Sequence, residues 1–243
     1  MTNLVLRLFA LASLLLLSAC AGTNTNNPVD PFEGFNRSMY SVNKAIDKAV
    51  LRPAAKAYDT VVPTVVDERI DNALANVGEL SNMGNSLLQL KFKKFAISTG
   101  RLLINSTFGL AGLFDPATPL GLARQDEDFG QTLAYWGVGD GPYLMLPGLG
   151  PNTLRDLVGR PVDAQVGISE NVDHVPTRNT VLGLDVLNTR QDLFPLEGHL
   201  EEALDEYAFV RDAYLQRRQF LIHDGNPPQP ALDEDCDPAF DDC

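Results

Sequence analysis

The chain has 243 residues and a formal net charge of −13, from Lys+Arg 19 against Asp+Glu 32. That length suits one domain with tails. So acidic a surface repels nucleic acid, and no basic cluster or basic–aromatic interleaving offsets it. The charge also offers no attraction to anionic lipid, so any membrane attachment must rest on an anchor and apolar contact.

From Leu4 to Ala19 the chain is almost wholly apolar, with Arg7 its one charge. The run falls short of the about 20 residues a membrane-crossing helix needs. It fits a secretory signal with a thin basic start. It ends Leu17-Ser18-Ala19-Cys20, with small residues where a peptidase needs them and a thiol directly after. This resembles the bacterial lipoprotein signal, in which the chain is cut before the cysteine and the thiol receives a diacylglycerol. The alternative is an ordinary signal peptide with a chance cysteine. Each buried acyl methylene contributes roughly 0.8 kcal/mol, so a lipidated Cys20 would hold the chain on a membrane. Ala21, rather than an Asp, resembles the pattern of outer-membrane lipoproteins. The expected organisation is a signal peptide over 1–19, a lipidated tether over 20–29, a folded domain over 30–224 and an acidic disordered tail over 225–243. The tail is rich in proline and acids without Lys or Arg, a composition that favours disorder. It holds Cys236 and Cys243, which an oxidising periplasm could join into a small loop away from the core. No CxxC spacing exists, and the tail lacks the glycine and spacing of a calcium loop.

The domain opens with DPFEGFNRSMYSVNKAIDKAV. Asp30 is placed to cap a helix, with Pro31 at its first position and Glu33 three residues on. Phe32, Phe35, Met39, Val42, Ile46 and Val50 follow at spacings of three and four, an amphipathic helix whose stripe faces the core by default or a membrane. Arg52-Pro53 reads as its break. After Val62-Pro63, Thr64 and Asp67 read as a capping pair, and Ile70, Leu74, Val77 and Leu80 keep helical spacing. SNMGNS reads as an interruption. Leu87 to Ser106 reads as helix, with Lys91, Lys93, Lys94 and Arg101 on a solvated face or against phosphate. Glycines and prolines in INSTFGLAGLFDPATPLGL mark turns.

Phe129 to Pro151, FGQTLAYWGVGDGPYLMLPGLGP, holds the chain's only Trp among many glycines. It has no phosphate-loop pattern. Two readings stand side by side. In one it is an irregular turn whose aromatics fill the core. In the other it is a loop with an apolar tip at a membrane or partner surface, where Trp and Tyr suit the boundary. Tyr143 to Leu146 reads as a short extended segment, and Thr153 with Asp156 as a capping box. Residues 158–180 read as irregular and Leu182 to Phe194 as helical or mixed. Leu200, Leu204, Tyr207, Val210, Tyr214, Leu215 and Arg218 mark a last helix, stopped by Gly225 and two prolines. Strand alternation is scarce, so the fold class is mostly α with long Gly/Pro-rich connections.

Nothing in the sequence favours catalysis or a cofactor. His174, His199 and His223 form no HExxH or paired metal spacing and read as surface or capping residues. No GxSxG elbow is present, and no carboxylate stands isolated in an apolar context.

DPFEGFNRSMY, the Arg52-Pro53 step, LINSTFGLAGLFD, EDFGQTLAYWGVGDGPYLMLPGLGPNTLRD and YAFVRDAYLQRRQF, in this order behind a lipoprotein signal, resemble the MlaA family, also called VacJ. The resemblance spans roughly residues 28–225 and is weaker over 158–198. It implies a ring-like helical domain embedded in the inner leaflet of the outer membrane, anchored at its periplasmic face. A central amphipathic channel would pass misplaced phospholipid inward, trimeric porins would hold the ring, and a soluble periplasmic carrier, MlaC, would receive the lipid. On that footing Phe32, Phe35, Met39, Val42 and Ile46 are expected along the membrane. Phe129, Tyr135, Trp136, Gly137, Gly139, Tyr143 and Leu144 are expected in a channel wall or gating hairpin. The competing expectations are a structural lipoprotein that scaffolds a membrane assembly without handling lipid, and a periplasmic hydrolase tethered to the membrane.

Overall fold

The computed structural model describes residues 27–167 and 173–228. Cys20, most of the tether, Cys236 and Cys243 lie outside the described residues. Helix α1 (Glu33–Ile46) runs through a π turn (Asp47–Leu51) into α2 (Arg52–Val61). Then come α3 (Thr64–Leu88), α4 (Phe92–Thr107), the short α5 (Phe129–Tyr135), strands β1 (Tyr143–Leu146) and β2 (Gly150–Thr153), and α6 (Leu154–Val166). Helix α7 (Val175–Gln191), a 3-10 turn (Phe194–Leu196), α8 (Glu197–Glu201) and α9 (Glu206–Ile222) complete the order. The fold is mostly helical, as expected, with one antiparallel hairpin in which Tyr143 pairs with Thr153 and Leu146 with Gly150. No described helix is long and apolar enough to cross a membrane.

Several local expectations hold. Tyr143 to Leu146 is extended. Thr153 caps α6, its hydroxyl accepting from the Asp156 amide at 3.2 Å, and His174 caps α7. Others need correction. Arg52-Pro53 does not break the chain's path. The π turn carries the backbone through, with the Arg52 amide reaching the Asp47 carbonyl, so Pro53 stands at the start of α2, where its missing N–H costs little. Asp30 caps nothing. It is wholly buried and accepts from Asn36 Nδ2 at 2.8 Å and from the Tyr207 hydroxyl at 2.5 Å. Thr64 is the first residue of α3 rather than its cap, and no side chain caps that end.

SNMGNS is not an interruption, because α3 runs straight through it. Its polar side chains form the buried face of the helix. Conversely, the helix read over Leu87 to Ser106 is present from Phe92 onward but does not begin at Leu87. α3 ends at Leu88, Leu90 turns the chain with φ 58, and α4 begins at Phe92. Residues 158–166 lie in α6 and 175–180 in α7, not in irregular chain. The last stripe splits into α8 and α9, Leu204 is fully exposed between them, and Asp205 caps α9 through the Ala208 amide at 3.1 Å.

The small apolar core gathers around β1. Tyr143, Met145 and Tyr207 are buried there, with Met39, Tyr40, Val210, Tyr214 and Leu215 packed against them. Tyr207 and Tyr214 both meet Tyr143 edge to face, at 6.3 and 6.2 Å between ring centroids.

Candidate functional site

Two asparagines fix α1 along β1. Asn36 donates to the Tyr143 carbonyl at 3.0 Å and accepts from the Met145 amide at 2.8 Å. Two helical turns on, Asn43 donates to the Leu146 carbonyl and accepts from the Gly148 amide, both at 2.8 Å. Each amide group thus reads a carbonyl and an N–H of the strand edge or its turn, as a neighbouring strand would. Replacing Asn36 with Leu strands the buried Met145 amide and the Tyr143 carbonyl, and removes a donor from Asp30. The expected cost is about 1–3 kcal/mol, the range for stranding a buried polar group. Denaturant unfolding of the detergent-solubilised protein measures it, and an unchanged midpoint would show that this stitch does not hold α1.

A second set of polar contacts carries residues 125–132. Asn82 donates to the Gln125 carbonyl at 2.9 Å and accepts from the Glu127 amide at 2.9 Å. Gln89 donates to Glu127 at 2.8 Å. Thr132 donates to Asn85 at 2.8 Å. Asp163, from α6, accepts from Ser81 and Asn85, each at 3.0 Å, and from the Phe129 amide. Burial pushes the Asp163 carboxyl up, and these three donors offset it only in part. Asp128 goes the other way. Burial opposes its ionisation, but hydrogen bonding and charge from Arg218 outweigh it and hold the carboxyl below its usual range. Arg218 bridges Asp128 at 3.0 Å and Asp156 at 2.8 Å, and Asp156 accepts from the Tyr214 hydroxyl at 2.6 Å. The end of α9 is thereby tied to both sides of the Gly-rich segment.

The third set lies inside the α3–α4 hairpin. Arg101, 2% exposed, donates to Glu79 at 2.6 Å, Asp115 at 3.0 Å, Thr118 at 3.0 Å and the Leu122 carbonyl at 2.7 Å. Lys91 and Lys94 both pair with Glu127 and Asp224. The expected solvated basic face is therefore corrected: three of its four members bind carboxylates within the protein, and Lys93 is the exposed one. Ser86, Ser98 and Asn105 are also buried in this hairpin. Apolar side chains predominate on its outward side: Leu80, Leu87, Leu88, Phe92 and Leu103 are exposed, beside a few polar residues such as Glu68 and Lys93.

The sequence-predicted site residues divide between two environments. On α1, Met39 packs into the core and Phe32 and Phe35 are half-buried, whereas Val42 and Ile46 are exposed, with Val50 beyond them. In the Gly-rich segment Phe129 is half-buried at the start of α5 and meets Trp136 edge to face at 6.0 Å. Tyr135 and Trp136 are each 53% exposed, and the Trp136 indole donates to the Leu88 carbonyl at 3.2 Å. Gly137 has φ +89, which an L side chain rarely adopts, and a side chain at Gly139 would meet open space. Tyr143 is wholly buried and Leu144 half-buried. The segment divides: Tyr143 and Met145 anchor the core, as the first reading expects, whereas Tyr135, Trp136 and Val138 are exposed. Sequence reading missed Asp30, Glu79, Arg101 and Glu127 as organising residues. A signal for part of this existed in α3, where Asn76, Glu79, Asn82 and Ser86 recur at spacings of three and four, a polar stripe beside the apolar one.

Fold and site together define a helical protein whose α3–α4 seam is polar and whose α3–α4 hairpin exposes a run of large apolar side chains. Residues 28–221 match the profile of the MlaA lipoprotein family, and the chain belongs to that family. It is 34% identical to the intermembrane phospholipid transport system lipoprotein MlaA of Escherichia coli (strain K12), over 95% of this chain and 96% of that protein. The protein of the same name in Haemophilus influenzae is 33% identical, over 90% of each. An uncharacterised protein of Rickettsia bellii is 33% identical over 79% of this chain and 76% of its own length. A solved structure described as "Structural basis for maintenance of bacterial outer membrane lipid asymmetry" superposes with a TM-score of 0.72 at 35% identity, covering 79% of this chain and 98% of the other.

Proposed function

We propose that this protein is an outer-membrane lipoprotein, anchored through Cys20 at the periplasmic face. It takes mislocalised phospholipid from the outer leaflet along an amphipathic path and passes it to a periplasmic carrier of the MlaC type. A trimeric porin steadies it in the membrane. The observation that carries the membrane half of this reading is the reversed polarity of the α3–α4 hairpin, with Glu79, Asn82, Ser98 and Arg101 inside and Leu80, Leu87, Phe92 and Leu103 outside. In water that arrangement exposes apolar surface and desolvates charge. In a bilayer it gives hydrocarbon the surface it accepts and keeps the charges of Glu79 and Arg101 paired within the protein. The transport half is supported by the names of the relatives and by the chemistry of the cargo. A phospholipid has a charged head and two apolar tails, so its path must offer polar contact to one end and apolar surface to the other.

In this reading Val42 and Ile46 rest in the membrane boundary, with Phe32, Phe35 and Met39 turned toward the protein. Phe129, Tyr135, Trp136 and Leu144 contribute to the wall of the path, Gly137 and Gly139 let the loop move, and Tyr143 anchors the segment. Deleting the gene in the native bacterium is expected to raise the phospholipid exposed at the cell surface, and the wild-type gene to reverse it. Surface labelling of phospholipid headgroups measures this. An unchanged cell surface would overturn the transport reading and favour a scaffold.

A further inference from the structure

The turn between α4 and α5 is a separate apolar feature. In residues 108–123, FGLAGLFDPATPLGLA, Asp115 is the only charged residue, and its carboxylate is engaged by Arg101, Asn105 and Thr118. Phe108 is 80% exposed and Leu120 68%, with Leu110, Leu113 and Phe114 also exposed. The backbone here is irregular and held against its preference: Leu110 and Ala111 have φ of 52 and 60. A side chain at Gly112 would meet Asn76 at 2.6 Å. A chain that adopts this conformation while presenting leucine and phenylalanine outward is fixed from beneath, by Asn105 and Asp115.

The hydrogen bonding shows which surroundings suit it. The amides of Gly109, Ala111, Gly112, Phe114, Ala117 and Leu122 all donate to acceptors within residues 104–117, at 2.9–3.3 Å. Between Phe108 and Leu122 only the Leu110 and Asp115 amides donate to no acceptor in the protein, more internal bonding than an irregular loop in water needs. A protein partner would ordinarily meet a polar rim and about one hydrogen bond per 100–200 Å². In hydrocarbon, by contrast, every backbone polar group has to be satisfied within the protein. The tip at 135–138 differs: Tyr135 and Trp136 carry polar handles suited to headgroup depth, and Asp140 adds a carboxylate close by.

We propose that residues 108–122 form a rigid apolar knob that inserts into the acyl-chain region of the bilayer, deeper than the Trp136 tip. The charge pattern commits the occupant to lipid hydrocarbon, since residues 108–122 of an otherwise strongly acidic chain carry no unpaired charge of their own, and the neighbouring Arg69 guanidinium is laid over the Phe114 ring at 4.3 Å. This rests on the membrane-seated reading above and goes beyond it by fixing relative depth.

The chain's single Trp permits a direct test. Full-length protein carrying Trp136→Phe with Phe108→Trp, and wild-type protein with Trp at 136, are placed in phosphatidylcholine vesicles. The lipids carry bromine either near the headgroup or at mid-chain. The expected result is that Trp at 108 is quenched severalfold more by mid-chain bromine than by shallow bromine, and is protected from aqueous iodide. Trp136 should show the reverse order of depth. Quenching of the 108 position by iodide, or by neither agent, would overturn the proposal, since the knob would then lie in water or beneath protein. Leu120→Trp in the Trp136→Phe background gives the same readout should Phe108→Trp fail to fold. The proposal can fail while deletion still disturbs surface phospholipid, so its failure is distinguishable from failure of the transport reading.

Discussion

Replacing Arg101 with Met is expected to destabilise the protein by about 3–5 kcal/mol, the range for removing one partner of a buried ion pair. The reason lies in what the guanidinium leaves behind. Its partner Glu79 is wholly buried and would retain a single neutral donor, Asn82 at 3.1 Å. Asp115, the Thr118 hydroxyl and the Leu122 carbonyl would each lose a partner at the same moment. Burial alone disfavours the charged form of Arg101, yet the carboxylates of Glu79 and Asp115 outweigh it and raise the group's pKa. Arg101, like arginines generally, stays charged, so the mutation rather than a change of pH removes its charge. The companion variant Glu79→Leu with Arg101→Met removes both charges, and buried pairs exchanged for apolar groups of similar volume are often near neutral. The double variant is expected to recover a large part of the loss, which denaturant unfolding in detergent micelles will register. If Arg101→Met alone unfolds at the wild-type midpoint, the polar seam does not hold α3 to α4.

That seam also marks where the sequence was legible and where it was not. The helical class, the Tyr143–Leu146 strand and the Thr153 cap follow from local signals, because each depends on a few adjacent residues. Other features depend on partners far along the chain. Asp30 looks like a helix cap from its neighbours, but Tyr207, 177 positions away, claims its carboxylate. SNMGNS looks like a loop on the assumption that polar residues face water. The assumption fails because Gln125, Glu127 and Asp163 wait across the seam to receive Asn82 and Asn85. Lys91, Lys94 and Arg101 were misplaced on a solvated face for the same reason. Reading polarity as exposure fails at α3–α4, where Glu79, Asn82 and Arg101 are buried while Leu80, Leu87 and Phe92 are exposed.

The contrast also explains how a chain with so small an apolar core keeps a defined shape. Among the described residues the buried apolar side chains are Ala55, Ala75, Ala117, Tyr143, Met145 and Tyr207. Hydrophobic burial inside the protein cannot be the main source of order around α3 and α4. Directional contacts take that role: Arg101, Asn105 and Asp115 fix one end of the hairpin, and Gln89, Glu127 and Lys94 the other. Such networks are unforgiving when partly satisfied. They define one arrangement by the direction of their contacts rather than by apolar collapse.

The glycines separate positions that packing requires from positions it does not. Gly109→Ala is expected to cost roughly 3 kcal/mol, the upper part of the overpacking range. The added methyl would lie 2.3 Å from the Phe114 carbonyl and 2.4 Å from the Asn105 carbonyl, both backbone atoms with no side chain to swing aside. Those two carbonyls belong to the turn that presents Phe108 and Leu110, and the Gly109 carbonyl itself receives the Phe114 amide at 2.9 Å. The methyl must therefore open the turn or break that bond. Gly84 is the matched control. It sits inside α3, where a methyl would meet nothing within 4 Å, and Gly84→Ala should stabilise the helix by up to about 1 kcal/mol through propensity alone. Unfolding midpoints of the two single variants should thus move in opposite directions from wild type. A Gly109→Ala protein as stable as wild type would mean that the turn is not held as tightly as its contacts require, and the rigid knob would lose its foundation.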